Sequence, residues 1–409
     1  MTGSDLLRPN IVLVGVAALL PSLGVFAPSF SWVLAALAAL LVAGLALATR
    51  ARMPLPSPTV LLSLVLLLIW AAASLLWSPV PERAQGVIGN AILFLAGGLL
   101  LISVARTFDA ENQRRFDIAL IAGFLLALGL ILSEIILGAP ISRSIHGDER
   151  AGAYGLAFFN RSSSVLVLLT WPFVLVTYRR LGLAFAVGAL VASLVVLAIL
   201  NTAAPLLAIL VSGAAVGLIL IAPRLAAWAI LAVTLVIIAL SPVWSGLAPK
   251  IFDLLLANNV IEQGLNHRFV IWGFASEKLL EQPLFGWGLD ASRAIPGGTQ
   301  TIDILVNSNG DMSASEFLPL HPHNGFLQIW LELGLVGTIL ATVLVVALLK
   351  SILFDNPRPA DRAFVGGTYV ATFVLFQLSF GVWQSWWIGL LWLIAAITVA
   401  AANRNPESP

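Results

Sequence analysis

The chain has 409 residues, 60% of them apolar and 10% charged, with a mean hydropathy of +1.00. A soluble domain carries roughly 45–50% apolar and about 25% charged residues, so a soluble enzyme is excluded, and long apolar runs without strand alternation argue against a transmembrane barrel. A net charge of +1 supplies no basic field for nucleic acid, and zero cysteines remove disulfides, thiolate metal sites and cysteine nucleophiles.

Taken in chain order, the apolar runs predict spans over residues 10–27, 31–49, 58–77, 87–105, 116–138, 162–178, 182–200, 203–221, 225–243, 324–350, 363–381 and 383–401. This describes an all-α polytopic membrane protein of about twelve transmembrane helices. The first run reads as a retained helix, not a cleaved signal. The tightest junctions are Asn201–Pro205 and Phe380–Trp383; if either pair is one bent segment, the count falls. Three regions follow: 1–243 with helices 1–9 and a short insert at 139–161, a loop region at 244–323, and 324–409 with helices 10–12 and a tail. Within the loop region, Ile251–Ile261 and Arg268–Leu280 have helical spacing of Leu, Ile, Phe and Trp, and Pro283 with Gly286-Trp287-Gly288 ends the second piece. With the N-terminus cytoplasmic, thirteen Lys and Arg fall on the cytoplasmic side and eight on the other. Both termini are then cytoplasmic and both inserts exoplasmic.

Chemistry needs titratable or cationic groups, and within the spans only Glu134 and Glu332 draw notice. An ion-coupled transporter needs ionisable residues near the bilayer midplane. Here the polar groups gather at the exoplasmic interface, which favours a site fed by a lipid-borne substrate. The most informative segment is His321-Pro322-His323-Asn324-Gly325. Asn324 reads as the N-cap of the tenth helix, with His323 at its threshold. The helix field disfavours imidazolium, so a neutral His323 is suited to general-base work. The same spacing also fits a histidine that merely anchors the interface, or an H-x-H metal pair completed by His146, His267 or a carboxylate.

Arginine is the second candidate group. Arg268 opens the loop helix, Arg150 and Arg161 flank the other insert, and Arg83 follows Trp77-Ser78-Pro79. Guanidinium forks match phosphate oxygens, so several arginines can hold a diphosphate; each alone can equally snorkel to lipid headgroups. Asp303, Asp311 and Glu316 lie in a Gly/Asn/Ser-rich stretch that reads as solvated loop or as contacts to sugar hydroxyls. The thirteen tryptophans read mostly as interface belt.

Arg268-Phe269-Val270-Ile271-Trp272, Pro283-Leu284-Phe285-Gly286-Trp287-Gly288, His323-Asn324-Gly325-Phe326-Leu327-Gln328 and Glu332-Leu333-Gly334-Leu335-Val336-Gly337 occur in order within about 70 residues. With these motifs the chain resembles the O-antigen ligase/polymerase superfamily of polytopic membrane glycosyltransferases. The resemblance implies a GT-C-like bundle in a Gram-negative inner membrane and a metal-independent transferase, without cofactor, working at the periplasmic face. It implies transfer of O-antigen from undecaprenyl diphosphate to the outer-core sugar of lipid A–core. The family's histidine falls on His323, its loop arginine on Arg268, and a further arginine on Arg161, with Arg150 as competitor. His321, Asn324, Glu316 and Glu332 are candidates for support. An O-antigen polymerase, with the same donor and a lipid-linked acceptor, is the sibling reading; a flippase of lipid-linked sugar is the reading from another class.

Overall fold

The computed structural model describes residues 8–146, 159–200, 202–257, 266–305 and 312–403. Among them the chain is almost wholly helical. The first helices are α1 (Ile11–Phe26), α2 (Ser31–Thr49), α3 (Pro58–Ala73), α4 (Pro81–Ala105), α5 (Ala110–Leu137) and the short α6 (Pro140–His146). Next come α7 (Asn160–Leu181), α8 (Leu183–Leu200), α9 (Ala203–Ile221), α10 (Pro223–Ala239), α11 (Ser241–Ala257) and α12 (Asn266–Glu281). A hairpin of β1 (Thr301–Leu305) and β2 (Met312–Glu316) precedes α13 (Gly325–Leu349), α14 (Pro359–Leu378) and α15 (Ser385–Ala402).

Helix α7 is the centre of the bundle. Every residue from Ser162 to Thr177 is buried, as expected for a helix surrounded on all sides. It packs against α1, α5, α8, α14 and α15. Several of its polar groups are bonded locally or by neighbours: Ser162 donates to the Val25 carbonyl, Thr170 to the Leu166 carbonyl, and the Trp171 indole to Ser212 Oγ at 2.8 Å, whereas Ser163 Oγ and Thr177 Oγ1 have no partner among the described residues. The two ends of α7 are chemically different. At its C-terminal end Arg179 pairs with Asp361 and Arg180 with Asp117. At its N-terminal end Arg161 has no carboxylate partner among the described residues and lies over the Trp386 ring.

Helix α13 is broken. Gly334 has φ 65° and ψ −163°, far from helical, and a break inside an apolar bundle orphans backbone groups that lipid cannot satisfy. The Pro283–Gly288 segment crosses the break and satisfies them. Trp287 and Gly288 N–H groups donate to the Leu331 and Glu332 carbonyls at 2.9 and 2.8 Å, while Leu335 N–H donates to the Pro283 carbonyl at 2.9 Å. The crossing is close enough that glycine is required on both sides. A Cβ on Gly286 (φ 72°) would lie 2.4 Å from the Glu332 carbonyl carbon, and one on Gly334 would lie 2.3 Å from the Leu284 oxygen. The second and last quoted motifs are therefore one interlocked unit.

All twelve expected spans are helices, but twelve crossings do not follow from that. Among the described residues nine helices are long and apolar enough to cross a membrane, or up to ten if a bent pair is one span. That pair is Pro223–Ala239 with Ser241–Leu255, bent by 72°, where Pro242 cannot continue the α10 hydrogen-bond ladder. The bend thus falls at neither junction flagged by the sequence. Helix α1 has only 16 residues, and α14, which opens with charged and glycine-containing turns, is outside the apolar set. The region read as a helical insert also contains the β1–β2 hairpin, with Thr301 opposite Glu316 and Leu305 opposite Met312. Those five-residue strands were too short to register as alternation.

We expect Gly286→Ala to destabilise the protein by about 2–4 kcal/mol, the cost of a clash plus a strained backbone. Gly129→Ala, on α5 with open space around it, should be neutral or slightly stabilising. Thermal inactivation in detergent measures both.

Candidate active site

The connections α1–α2 and α14–α15, the start of α7 and the segment before α13 meet at one end of the bundle. Together with Arg268 they enclose a cavity of about 770 Å³. Arg161, Arg268, His321 and His323 all line it.

The His-Pro-His turn is clamped at each residue. The His321 ring is 5% exposed and rests on Gly381, where a Cβ would fall 2.8 Å from its Cδ2. The Pro322 carbonyl accepts the Trp272 indole N–H at 2.8 Å. His323 has φ 55°, an uncommon left-handed conformation for a side chain of this size. It is held there by its own N–H, which donates to His321 Nδ1 at 3.1 Å. Asn324 then caps α13, its side chain accepting the Leu327 N–H at 3.0 Å.

These bonds set the tautomers. His323 Nδ1 lies 2.8 Å from the Ser379 carbonyl, an acceptor only, so Nδ1 carries the proton and Nε2 keeps its lone pair. Nε2 has no partner among the described residues. Burial pushes the His323 pKa below the ordinary histidine value, with Arg268 and His267 adding to the shift and the Ser379 bond opposing it. His321, accepting at Nδ1, is neutral with its proton on Nε2. Burial first, then His323, Arg293 and Arg268, push its pKa down to about 3.

The cations differ in how free they are. Arg268, one turn before Trp272 on α12, is half-buried and has no hydrogen-bond or ion-pair partner among the described residues. Burial lowers its pKa, but a guanidinium stays charged at neutral pH. Arg161 donates to Ser29 Oγ at 2.9 Å and stacks on Trp386 at 5.3 Å, contacts that orient it without neutralising it. Arg83 is not in this cavity. It pairs with Asp290 at 2.8 Å and lines an adjoining one. Arg150 lies outside the described residues, as does Asp311.

The supporting carboxylates do not reach His323. Glu332 is fully buried and bonded to the Asp290 N–H, Ser292, Gln328 and Trp383. Glu316 is on β2, where its backbone carbonyl lies 3.3 Å from His267 Nε2, which also contacts Ser315 Oγ at 2.7 Å. Glu134 accepts the Ile141 and Ser142 N–H groups at 2.8 Å each and so caps α6. Among the described residues no group of three or more His, Asp or Glu is placed to hold a metal ion, and both histidine Nδ1 atoms of the H-x-H pair are already engaged.

Several site residues carried no sequence signal. Ser379 contributes only its carbonyl and Gly381 only its lack of a side chain, and Gln384 and Arg293 stand outside any motif. The tryptophans were read as interface belt, yet six indoles build this region. Trp70, Trp77, Trp272, Trp287 and Trp330 donate to backbone carbonyls of Leu333, Gly286, Pro322, Lys278 and Ile238, and Trp383 donates to Glu332.

An all-α polytopic membrane protein with a neutral imidazole and two uncompensated guanidinium groups in one end cavity is the class these features define. Residues 188–342 match the O-antigen ligase family model, so the chain is similar to that family over this stretch. Three Rickettsia proteins named "Putative polysaccharide ligase" are similar to it. That of R. conorii is 36% identical over 129 residues, 31% of this chain and 30% of that protein's own length. Those of R. prowazekii and R. felis are 28% and 26% identical over 299 and 336 residues, covering 71% and 80% of this chain and 68% and 76% of theirs. No solved structure matches the chain.

Replacing His321 tests the clamp. His321→Asn, whose Oδ1 can take the place of Nδ1 as acceptor, should keep most of the activity of the wild type. His321→Gln, whose acceptor sits one bond too far, should lose about tenfold or more, the value of one buried hydrogen bond. Initial rates of glycan transfer provide the comparison.

Proposed function

We propose that the chain is an O-antigen ligase, a membrane glycosyltransferase that moves a glycan from undecaprenyl diphosphate to a sugar of lipid A–core at the periplasmic face. The observation that carries this reading is the unpartnered Arg268 sharing a cavity with an unprotonated His323 Nε2. The family-model match and the names of the similar Rickettsia proteins support a polysaccharide ligase generally, and the cavity chemistry supports this donor class.

In the reaction His323 Nε2 takes the proton of the acceptor hydroxyl as that oxygen attacks the anomeric carbon. The bond from this carbon to the diphosphate oxygen breaks, and the electron pair leaves with undecaprenyl diphosphate. Arg268 and Arg161 supply two positive charges for the two phosphates, and their attraction grows as charge develops on the leaving oxygen. One direct displacement inverts the anomeric centre. His321 and Ser379 take no part in proton transfer; they fix the base. The site end then faces the periplasm, and the Arg179–Asp361 end faces the cytoplasm, as does each terminus.

Three outcomes are expected. His323→Ala, with normal insertion, should reduce transfer by at least about 10²-fold, the usual contribution of a general base; near-normal transfer would refute the assignment. Arg268→Lys should cost about tenfold or more, because a point charge cannot replace a bidentate fork, and equal rates across donor concentrations would count against a diphosphate contact. The reaction should survive EDTA. In the same reconstituted system, product on lipid A–core supports ligase, whereas a lengthened lipid-linked chain indicates a polymerase. The pH profile follows from His323. A base whose pKa is depressed stays unprotonated as pH falls through about 6.5, so the acid limb of kcat/KM should lie below that value.

A further inference from the structure

Glu332 is a wholly buried carboxylate that the transfer step does not use. Its Oε2 accepts the Asp290 N–H at 2.8 Å and the Trp383 indole, and its Oε1 accepts the Ser292 hydroxyl and Gln328 Nε2–H, the latter at 3.1 Å. Asp290, Gln328 and Trp383 are also walls of a second cavity, of about 220 Å³. One buried carboxyl group thus fixes three sides of this cavity, including Asp290 in a left-handed conformation at φ 54°.

The second cavity adjoins the first, and Leu320, His321 and Gln384 line both. Their charges differ. With both histidines neutral, the first cavity carries Arg161 and Arg268, formally +2. The second carries Arg83, Arg293 and Asp290, and the Arg83–Asp290 pair at 2.8 Å leaves a formal +1. Arg293, exposed at the mouth, has no hydrogen-bond or ion-pair partner among the described residues. A charge of +2 matches a diphosphate, whereas +1 matches a single phosphate or carboxylate. Val87 and Trp383 continue from this cavity into an apolar groove of about 210 Å³ between α3, α4, α14 and α15, which gives an amphiphile seated here a place for its hydrocarbon.

Resting on the transferase reading above, we propose that this second cavity is the acceptor subsite, in which Arg293 binds one acidic group, phosphate or carboxylate, on the acceptor saccharide. Two substrates on either side of His321 and Gln384 place the acceptor hydroxyl next to the donor cavity while keeping the two anionic groups on separate cations.

The test is steady-state transfer from undecaprenyl-diphosphate-linked glycan to lipid A–core, with Arg293→Ala and Arg293→Lys beside the wild type. The acceptor is used intact, phosphatase-treated and carboxyl-reduced. Arg293→Ala should raise the acceptor KM about tenfold or more, the worth of one charge-assisted hydrogen bond, with donor KM and kcat within about twofold of the wild type. Arg293→Lys should recover part of the loss. One of the two treated acceptors should show the same raised KM with the wild type and lose nothing further with Arg293→Ala, and which one does so names the acid group. A raised donor KM, an unchanged acceptor KM, or equal use of all three acceptors by the wild type would overturn the proposal; the last needs no variant to fold. An active His323→Ala would end the base assignment and leave this result standing. An inactive His323→Ala with an indifferent Arg293→Ala would end only the acceptor subsite.

Discussion

A helix broken inside an apolar bundle must have its exposed peptide groups bonded by other protein groups, because hydrocarbon offers none. The interruption of α13 at Gly334 is bonded by the Pro283–Gly288 crossing and by the Trp70 indole on the Leu333 carbonyl at 2.9 Å, and the Glu332 side chain just before it accepts the Asp290 N–H of the segment that follows the crossing. This crossing ties the segment carrying Asp290 and Arg293 to the helix that begins at His323-Asn324. Through Glu332 it also reaches the α14–α15 connection, by way of the Trp383 indole and of Gln328, whose Oε1 accepts the Val382 N–H at 2.9 Å. The walls of both cavities are thereby referred to one rigid point.

The arginines are used in two opposite ways. At the end of the bundle holding Arg179 and Arg180, guanidinium groups face the buried carboxylates of Asp361 and Asp117, and Arg8 reaches Asp109. There the charges are spent on joining helices. At the other end Arg268 and Arg161 meet aromatic rings, hydroxyls and neutral imidazoles, but no carboxylate among the described residues. A buried cation without a counter-ion is costly, and such a cost is repaid when an anion arrives. The low-dielectric surroundings that make Arg268 expensive in the empty cavity also strengthen its attraction for phosphate.

The helices were readable from hydropathy because apolar runs of this length have one interpretation. Their number of crossings was not, since α1 is short and the α10–α11 bend depends on Pro242 and its packing. His323, Arg268 and Arg161 stand out in the sequence because a histidine before an N-cap and cations beside a span are local patterns, and the structure places all three on one cavity. The sequence groups Arg83 with the other arginines because its partner, Asp290, is more than 200 residues away; the structure puts it in the adjoining cavity. Glu332 looked like a possible aid to the histidine, being two turns along the same helix; the broken geometry and its four partners turn it elsewhere. Ser379 and Gly381 act through a carbonyl and a missing Cβ, which no residue type announces.

Trp272 and Arg268 stand one turn apart on α12, and the indole grips the peptide between the two histidines. The helix that presents the cation is thus bonded directly to the turn that presents the proton acceptor. That turn is itself anchored to Ser379 and to the start of α13, so the spacing of base and guanidinium is set by single bonds between neighbouring elements rather than by bundle packing as a whole.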